Sequence, residues 1–299
     1  MNKKQGPNAG PPVPSDPKEM AACALNEHGF LFAQIIREEI CANKLSEDPN
    51  IRHSWKVLTQ EYPVTAGDGS QTKIDLVLQK SNEERFLCLE CKRPNPRYKR
   101  WLFWDKADAI HRQETNNTLF VDTFHFREQK GSEYKFTQGI ERLRKVHNCP
   151  VFNYYVEAIE NRDRQDRYSS TETLEKAFLQ VVRGNTGLMR KFRRFNKALS
   201  YRSIPVVVTT AEILALNFQQ EKVSRANGMI EPADLEVRPL DYCAVLYRAD
   251  DSLSVPIDEY TVAPPDITVD LLSFQVRTVF VVQATAINEF LCWLSGLFN

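Results

Sequence analysis

Two short apolar runs dominate the pattern of the first half of the chain. Ile74–Leu78 reads Ile-Asp-Leu-Val-Leu, and Phe86–Cys91 reads Phe-Leu-Cys-Leu-Glu-Cys, with the polar stretch 80–85 between them. Apolar runs flanking a polar turn predict a β-hairpin with a longer loop. Upstream, Trp55 to Val64 predicts a strand and Thr65–Ser70 a turn, which makes a three-strand meander. Earlier still, Leu25, Phe32, Ile35, Ile36 and Ile40 gather on one side of a helix over Leu25 to about Ala42. Residues 1–20, rich in Pro, Gly and Asn and without an apolar stretch, predict a disordered tail and not a targeting peptide.

The second half alternates differently. Residues 105–148 are polar and charge-rich, which predicts an irregular insertion with a helix near Thr137–Val146. Pro150–Ile159 predicts a strand. Ser169 or Ser170 would cap a helix that starts near Thr171 and stops at Gly184, followed by a second helix from Gly187 to about Leu199. The apolar runs within Tyr201–Thr210 and Thr278–Gln283 suit buried strands. The acidic, proline-containing segment 231–270 predicts strands and loops at the sheet edge, and Ile287–Leu297 a final amphipathic helix. Alternating strands and helices predict an α/β fold whose central mixed β-sheet is flanked by helices, in a single domain over 21–299.

Three ionisable residues interrupt the apolar hairpin: Asp75 in its first strand, Glu90 and Lys92 in its second. Strand side chains alternate, so Glu90 and Lys92 point to the same face. Burying such groups is costly without a purpose. Asp75 and Glu90 offer hard oxygen ligands for Mg²⁺ or Mn²⁺, and the Cys91 carbonyl offers a third. Lys92 can orient the attacking water or stabilise charge building on a phosphate. The chemistry that this trio supports is metal-assisted phosphodiester hydrolysis; the plain alternative is a surface ion pair on a polar strand edge. Glu61, at the end of the preceding strand, is either a further acid of the site or an exposed strand-end charge.

The pattern of an acid on one strand of a hairpin, then Glu-x-Lys on the next, resembles the core of the PD-(D/E)xK nuclease superfamily, which has the restriction-endonuclease-like fold. Ile74 stands where that pattern often has proline. The resemblance implies metal-dependent cleavage of nucleic acid, DNA first, by Asp75, Glu90 and Lys92. It also implies a glutamate approaching the metal from the first helix; Glu39 is the first candidate and Glu38 the second, each of which could instead be a helix-end residue reaching solvent. A polar residue on the helix after the catalytic strands points to Gln180, although the tyrosine of the family's QxxxY variant is absent, Gly184 taking its place. A restriction or anti-phage role follows by fold-level analogy alone. Cutting both strands of a duplex would call for a two-fold dimer, and regulation for a partner chain. The competing function is a non-catalytic nucleic-acid- or partner-binding module that keeps the fold.

Composition narrows this picture. The 299 residues suit one enlarged domain. Lys plus Arg and Asp plus Glu each number 39, so net charge cannot drive nucleic-acid binding and local patches must. Two patches qualify. Arg93, Arg97, Lys99 and Arg100 follow Lys92 and interleave with Tyr98, Trp101 and Trp104, rings that could stack on bases or anchor a core. Arg190, Lys191, Arg193 and Arg194 form the strongest basic run, either a phosphate grip or a solvated face. The seven cysteines and absence of a secretory signal predict reduced thiols in a cytoplasmic protein. Cys88 and Cys91 face opposite sides of a strand and have no partners for a zinc site. His111, His125 and His147 lack metal-ligand spacing, and Cys149 is too near His147 in sequence for a hydrolase dyad. No apolar run reaches membrane-spanning length.

Overall fold

The computed structural model describes residues 16–27, 30–43, 46–48, 52–81, 83–94, 98–105, 119–130, 133–143, 146–158, 169–192, 200–249 and 276–297. In chain order the helices are α1 (Pro17–Glu27), α2 (Phe30–Asn43), α3 (Glu172–Phe192) and α4 (Ile287–Leu297). The first strands are β1 (Trp55–Thr65), β2 (Gln71–Lys80), β3 (Arg85–Lys92), β4 (Arg100–Trp104), β5 (Leu119–Lys130) and β6 (Glu133–Leu143). After them come β7 (Val151–Phe152), β8 (Tyr154–Ala158), β9 (Ser169–Ser170), β10 (Ser200–Thr209), β11 (Glu212–Asn217), β12 (Glu236–Leu240), β13 (Tyr242–Arg248) and β14 (Val276–Gln283).

Among the described residues, nine strands form one mixed sheet ordered β1-β2-β3-β10-β14-β13-β7, with the hairpin β5–β6 joined to the start of β10. The expected meander β1–β2–β3 is antiparallel throughout, and β10 lies parallel to both β3 and β14. The remaining five strands make a second sheet, ordered β12-β11-β4-β8-β9. The protein is therefore α/β, a large mixed sheet flanked by helices.

Alternation along the central strands builds two cores. Cys88, Val207 and Val281 pack with Val181 and Val182 of α3. Leu87, Leu89 and Val206 pack on the other face with Ile36 and Ile40 of α2 and with Phe290 and Leu294 of α4. Strands covered on both faces need continuous apolar sequence, which Val206–Val208 and Val279–Val282 supply. Burying each such Val or Leu contributes roughly 1.5–3 kcal/mol.

Several local expectations are corrected. The helix expected over 25–42 is two helices, with Gly29, a poor helix former, in the sequence between them. α2 buries Phe32, Ala33, Ile36 and Ile40, whereas Leu25 and Ile35, expected on that face, are 49% and 58% exposed. α1 also takes up Pro17–Met20, expected in the disordered tail. Asp16 caps it, Oδ1 accepting from the Lys18 amide at 2.9 Å, with Pro17 at the first helical position. Residues 1–15 lie outside the described residues.

The helix expected near Thr137–Val146 is instead the strand β6, paired with β5 from Leu119↔Leu143 to Lys130↔Glu133. The two residues between the strands, Gly131-Ser132, are a turn-type pair in sequence. The helix expected to stop at Gly184 continues to Phe192, so the second helix expected from Gly187 is its last turns. Both glycines face the sheet: a Cβ at Gly184 would stand 2.9 Å from Ile74 Cγ1, and one at Gly187 2.8 Å from Val64 Cβ. They allow close approach and do not end the helix. The strand expected over 150–159 divides at Asn153 into β7 of the main sheet and β8 of the second. β13, expected at an edge, lies between β14 and β7. No helix among the described residues is long and apolar enough to cross a membrane.

Candidate active site

Strand register places the acids. β2 and β3 pair Leu76 with Leu89 and Val77 with Cys88, and continuing that register sets Asp75 opposite Glu90. On its other side, β1 pairs Val57 with Leu78 but shifts register before Thr59, so that Gln60 faces Leu76 and Tyr62 faces Ile74. Glu61 therefore stands across from Asp75, where the unshifted register would have put Gln60. A bulge of this kind re-aims the residues that follow it. Three carboxylates thus share one row across three neighbouring strands. Glu61 has a φ of 50°, a left-handed conformation that costs a non-glycine residue energy.

Glu90 and Lys92 face α3. Lys92 Nζ lies 2.7 Å from Glu90 Oε1 and donates to Gln180 Oε1 of α3 at 3.1 Å. Asp75 Oδ2 accepts from the Cys91 amide at 2.7 Å. The Cys91 side chain is buried on the opposite face, in the core shared with α2, so only its backbone can serve the site. Glu90 is 2% exposed.

Burial pushes Asp75 up to about 6; the Cys91 amide and Lys92 oppose the shift and Glu61 adds to it. Burial, then the charge of Asp75, push Glu90 up to about 8 against the pull of Lys92. Among the described residues, no group of three or more His, Cys, Asp or Glu side chains is gathered so as to hold a metal ion. Mg²⁺ asks for less, since it takes one or two carboxylates and completes its shell with water and phosphate oxygens. Asp75, Glu90 and a backbone carbonyl are donors of that kind. Their crowded negative charge, offset by one lysine, is what a divalent cation would neutralise.

The other expected residues divide. Gln180 joins the site through Lys92. The absent tyrosine's place, Gly184, is where Ile74 packs. Glu39 does not join: its helix packs on the opposite face of the sheet, and its Oε1 accepts from Asn288 Nδ2 of α4 at 3.1 Å. Asn288 Oδ1 in turn lies 3.3 Å from His53 Nε2, so Glu39 ties α2 to α4. Burial, then Glu289, raise its carboxyl. Glu38 is exposed and accepts from Gln34 at 3.0 Å.

Of the basic residues, Arg93 is exposed directly beyond Lys92, and Lys99 and Arg100 are exposed where β4 begins. Arg100 Nε lies 2.9 Å from Glu212 Oε2. Arg190 donates to the Ala66 carbonyl at 2.7 Å, and Lys191 to the Pro63 carbonyl with its ammonium 4.3 Å from the Tyr62 ring centre. These two clamp α3 to β1 and its turn, a role the sequence pattern did not indicate. Arg97, Arg193 and Arg194 lie outside the described residues. Trp101 is fully buried in the core, as its anchoring alternative predicts, while Trp104 is half-buried.

No protein-family model matches the chain, no curated protein matches it, and no solved structure matches it.

Proposed function

We propose that the chain is a Mg²⁺- or Mn²⁺-dependent nuclease of the PD-(D/E)xK type that hydrolyses phosphodiester bonds in DNA. The observation that carries this reading is the convergence of Asp75, Glu90 and Lys92 at adjoining strands, with Lys92 fixed between Glu90 and Gln180. The meander β1–β2–β3, with α3 across it and β10 parallel to β3, supports a restriction-endonuclease-like core.

Asp75, Glu90 and the Cys91 carbonyl would hold the cation, which when bound supplies a Lewis acid and an acidified water. The chain's own groups do the rest. Glu90 and Gln180 hold the Lys92 ammonium in one place, so its charge can meet a phosphate or steady a water without reorganising. The Cys91 amide fixes the Asp75 carboxylate. Apolar walls on both sides of the sheet strengthen these charges by keeping the dielectric low. A restriction or anti-phage setting, in the cytoplasm, is consistent with this chemistry and rests on analogy.

The test incubates purified protein with plasmid, single-stranded DNA and RNA, in Mg²⁺, Mn²⁺ or EDTA, beside Asp75→Ala and Lys92→Ala. Cleavage should need the metal and fall at least ~100-fold in each folded variant. Full cleavage by both variants would sink the assignment. Binding that ignores Mg²⁺ and never shortens the nucleic acid would favour the non-catalytic module.

A further inference from the structure

The outer face of the second sheet is apolar, aromatic and partly open. Trp101 and Phe103 of β4 point into the core, and Tyr155 and Glu157 of β8 point towards α3: Tyr155 packs edge-on against Phe178, and Glu157 accepts from the Thr173 and Leu174 amides at 2.6 and 2.9 Å. Alternation therefore turns Leu102, Trp104, Tyr154 and Val156 to the opposite side. Register pairs Trp104 with Tyr154, and their rings stack, 5.7 Å between centres and 19° between planes. Tyr154 is 43% exposed.

This face continues the catalytic strands. β4 starts at Arg100, eight positions after Lys92, and runs parallel to β11, which starts three positions after Thr209, the register partner of Lys92 in β10. Exposed Arg93 follows β3, exposed Lys99 precedes β4, and exposed Arg100, which also pairs with Glu212 at 2.9 Å, begins it. The chain thus follows Asp75, Glu90 and Lys92 with a run of cations and with Trp104, whose ring stacks on Tyr154.

We propose that this face is a platform for an unpaired nucleic-acid strand, whose bases extend the Trp104–Tyr154 stack while its phosphates follow Arg100, Lys99 and Arg93 towards Lys92. Aromatic stacking accepts any base but requires it to be unpaired, and cations along the strand supply the salt-sensitive part of the affinity. A cleft of about 810 Å³ beside the sheet, bordered by Tyr98, Val156, Ser170 and Glu175, is large enough for a nucleotide. The inference rests on the nuclease reading for what happens at Lys92 and names the substrate class of that site, a strand with a single-stranded segment.

The test measures binding of a fluorescent oligo-dT and of a duplex of the same length in EDTA, where cleavage is stopped. Tyr154→Ala, and Trp104→Leu, which keeps apolar bulk without a stacking ring, should each weaken oligo-dT binding between roughly fivefold and 150-fold. Duplex binding should not change, and thermal melting should stay as in the wild type. Binding should also quench tryptophan fluorescence, and Trp104→Phe should remove most of that signal. Arg93→Ala should lower the salt dependence of binding without touching the quench. Equal oligo-dT affinity in folded Tyr154→Ala and Trp104→Leu overturns the platform, even if cleavage persists. Ring-dependent binding without cleavage in Mg²⁺ keeps the platform and overturns the nuclease. No oligo-dT binding by the wild type overturns the platform outright.

Discussion

Replacing Gly187 by Ala should destabilise the protein even though it improves the helix. Within a helix, Ala is favoured over Gly by about 1 kcal/mol. Against that stands the sheet: the new Cβ would lie 2.8 Å from Val64 Cβ and Cγ2 and 3.1 Å from the Thr65 carbonyl oxygen. Val64 Cβ and the carbonyl are fixed to the backbone, so no rotamer change moves them aside. Carbon atoms rest about 3.5–4.0 Å apart, so α3 and β1 would have to separate locally by about 0.7–1.2 Å. Overpacking costs about 1–3 kcal/mol, and an obstacle made of backbone belongs at the upper end. After the helix gain, a net loss of about 2 kcal/mol remains. Gly184→Ala is the control. It meets Ile74 Cγ1 at 2.9 Å with the next atom at 3.7 Å, a side chain that can turn, so its net effect should lie near zero. Urea denaturation with an unchanged slope measures both. A Gly187→Ala protein as stable as the wild type, or more so, would refute close helix–sheet approach as the reason for that glycine.

Further outcomes follow from the site. Asp75 and Glu90 have folded pKa values raised above those of ordinary carboxylates, so the folded state binds more protons than the unfolded state from about pH 4 to about pH 8. Their contribution is most favourable below the unfolded values and is lost as pH rises through about 6 and then about 8. Glu90→Gln should flatten the fall in urea stability between about pH 5 and about pH 8, and an equally steep fall in that variant would contradict the assignment. Because Mg²⁺ competes with the same protons, the thermal shift it produces should grow with pH over this range and shrink in Asp75→Asn. Glu61→Gly should raise stability by about 1 kcal/mol by accommodating the left-handed backbone, while removing one carboxylate from the row. A less stable Glu61→Gly would show that the conformation is not strained.

The trio Asp75, Glu90 and Lys92 was legible because a period-two pattern carries its own face assignment; spacing alone set Glu90 and Lys92 side by side. The buried strands β10 and β14 were legible for a related reason, since cover on both faces demands unbroken apolar sequence. What failed depended on partners distant in sequence. Gly184 looks like a helix stop and Gly187 like the start of a second helix until Ile74 and Val64 are brought against them. Glu39 fits a catalytic position on its own helix, but Asn288, on the last helix, takes its carboxylate. The bulge that brings Glu61 opposite Asp75 exists only in the pairing of β1 with β2. Strand β6 looks helical in its local charge mixture, and eleven pairs with β5 override that preference.

The position of β14 bears on how the protein is made. β10 has β3 along one edge and β14 along the other, and β14 ends at Gln283. On the ribosome the hairpin β2–β3 is complete by Lys92, but the sheet's centre stays open along Val206–Val208 until some seventy further residues have followed Thr209. At roughly 5–20 residues per second that wait lasts seconds, with an apolar parallel edge exposed to other chains. Parallel pairing across such separations is slow to form. A nascent or prematurely terminated chain would hold Asp75, Glu90 and Lys92 on their hairpin while the apolar edge of β10 stays uncovered, and so would be prone to aggregate.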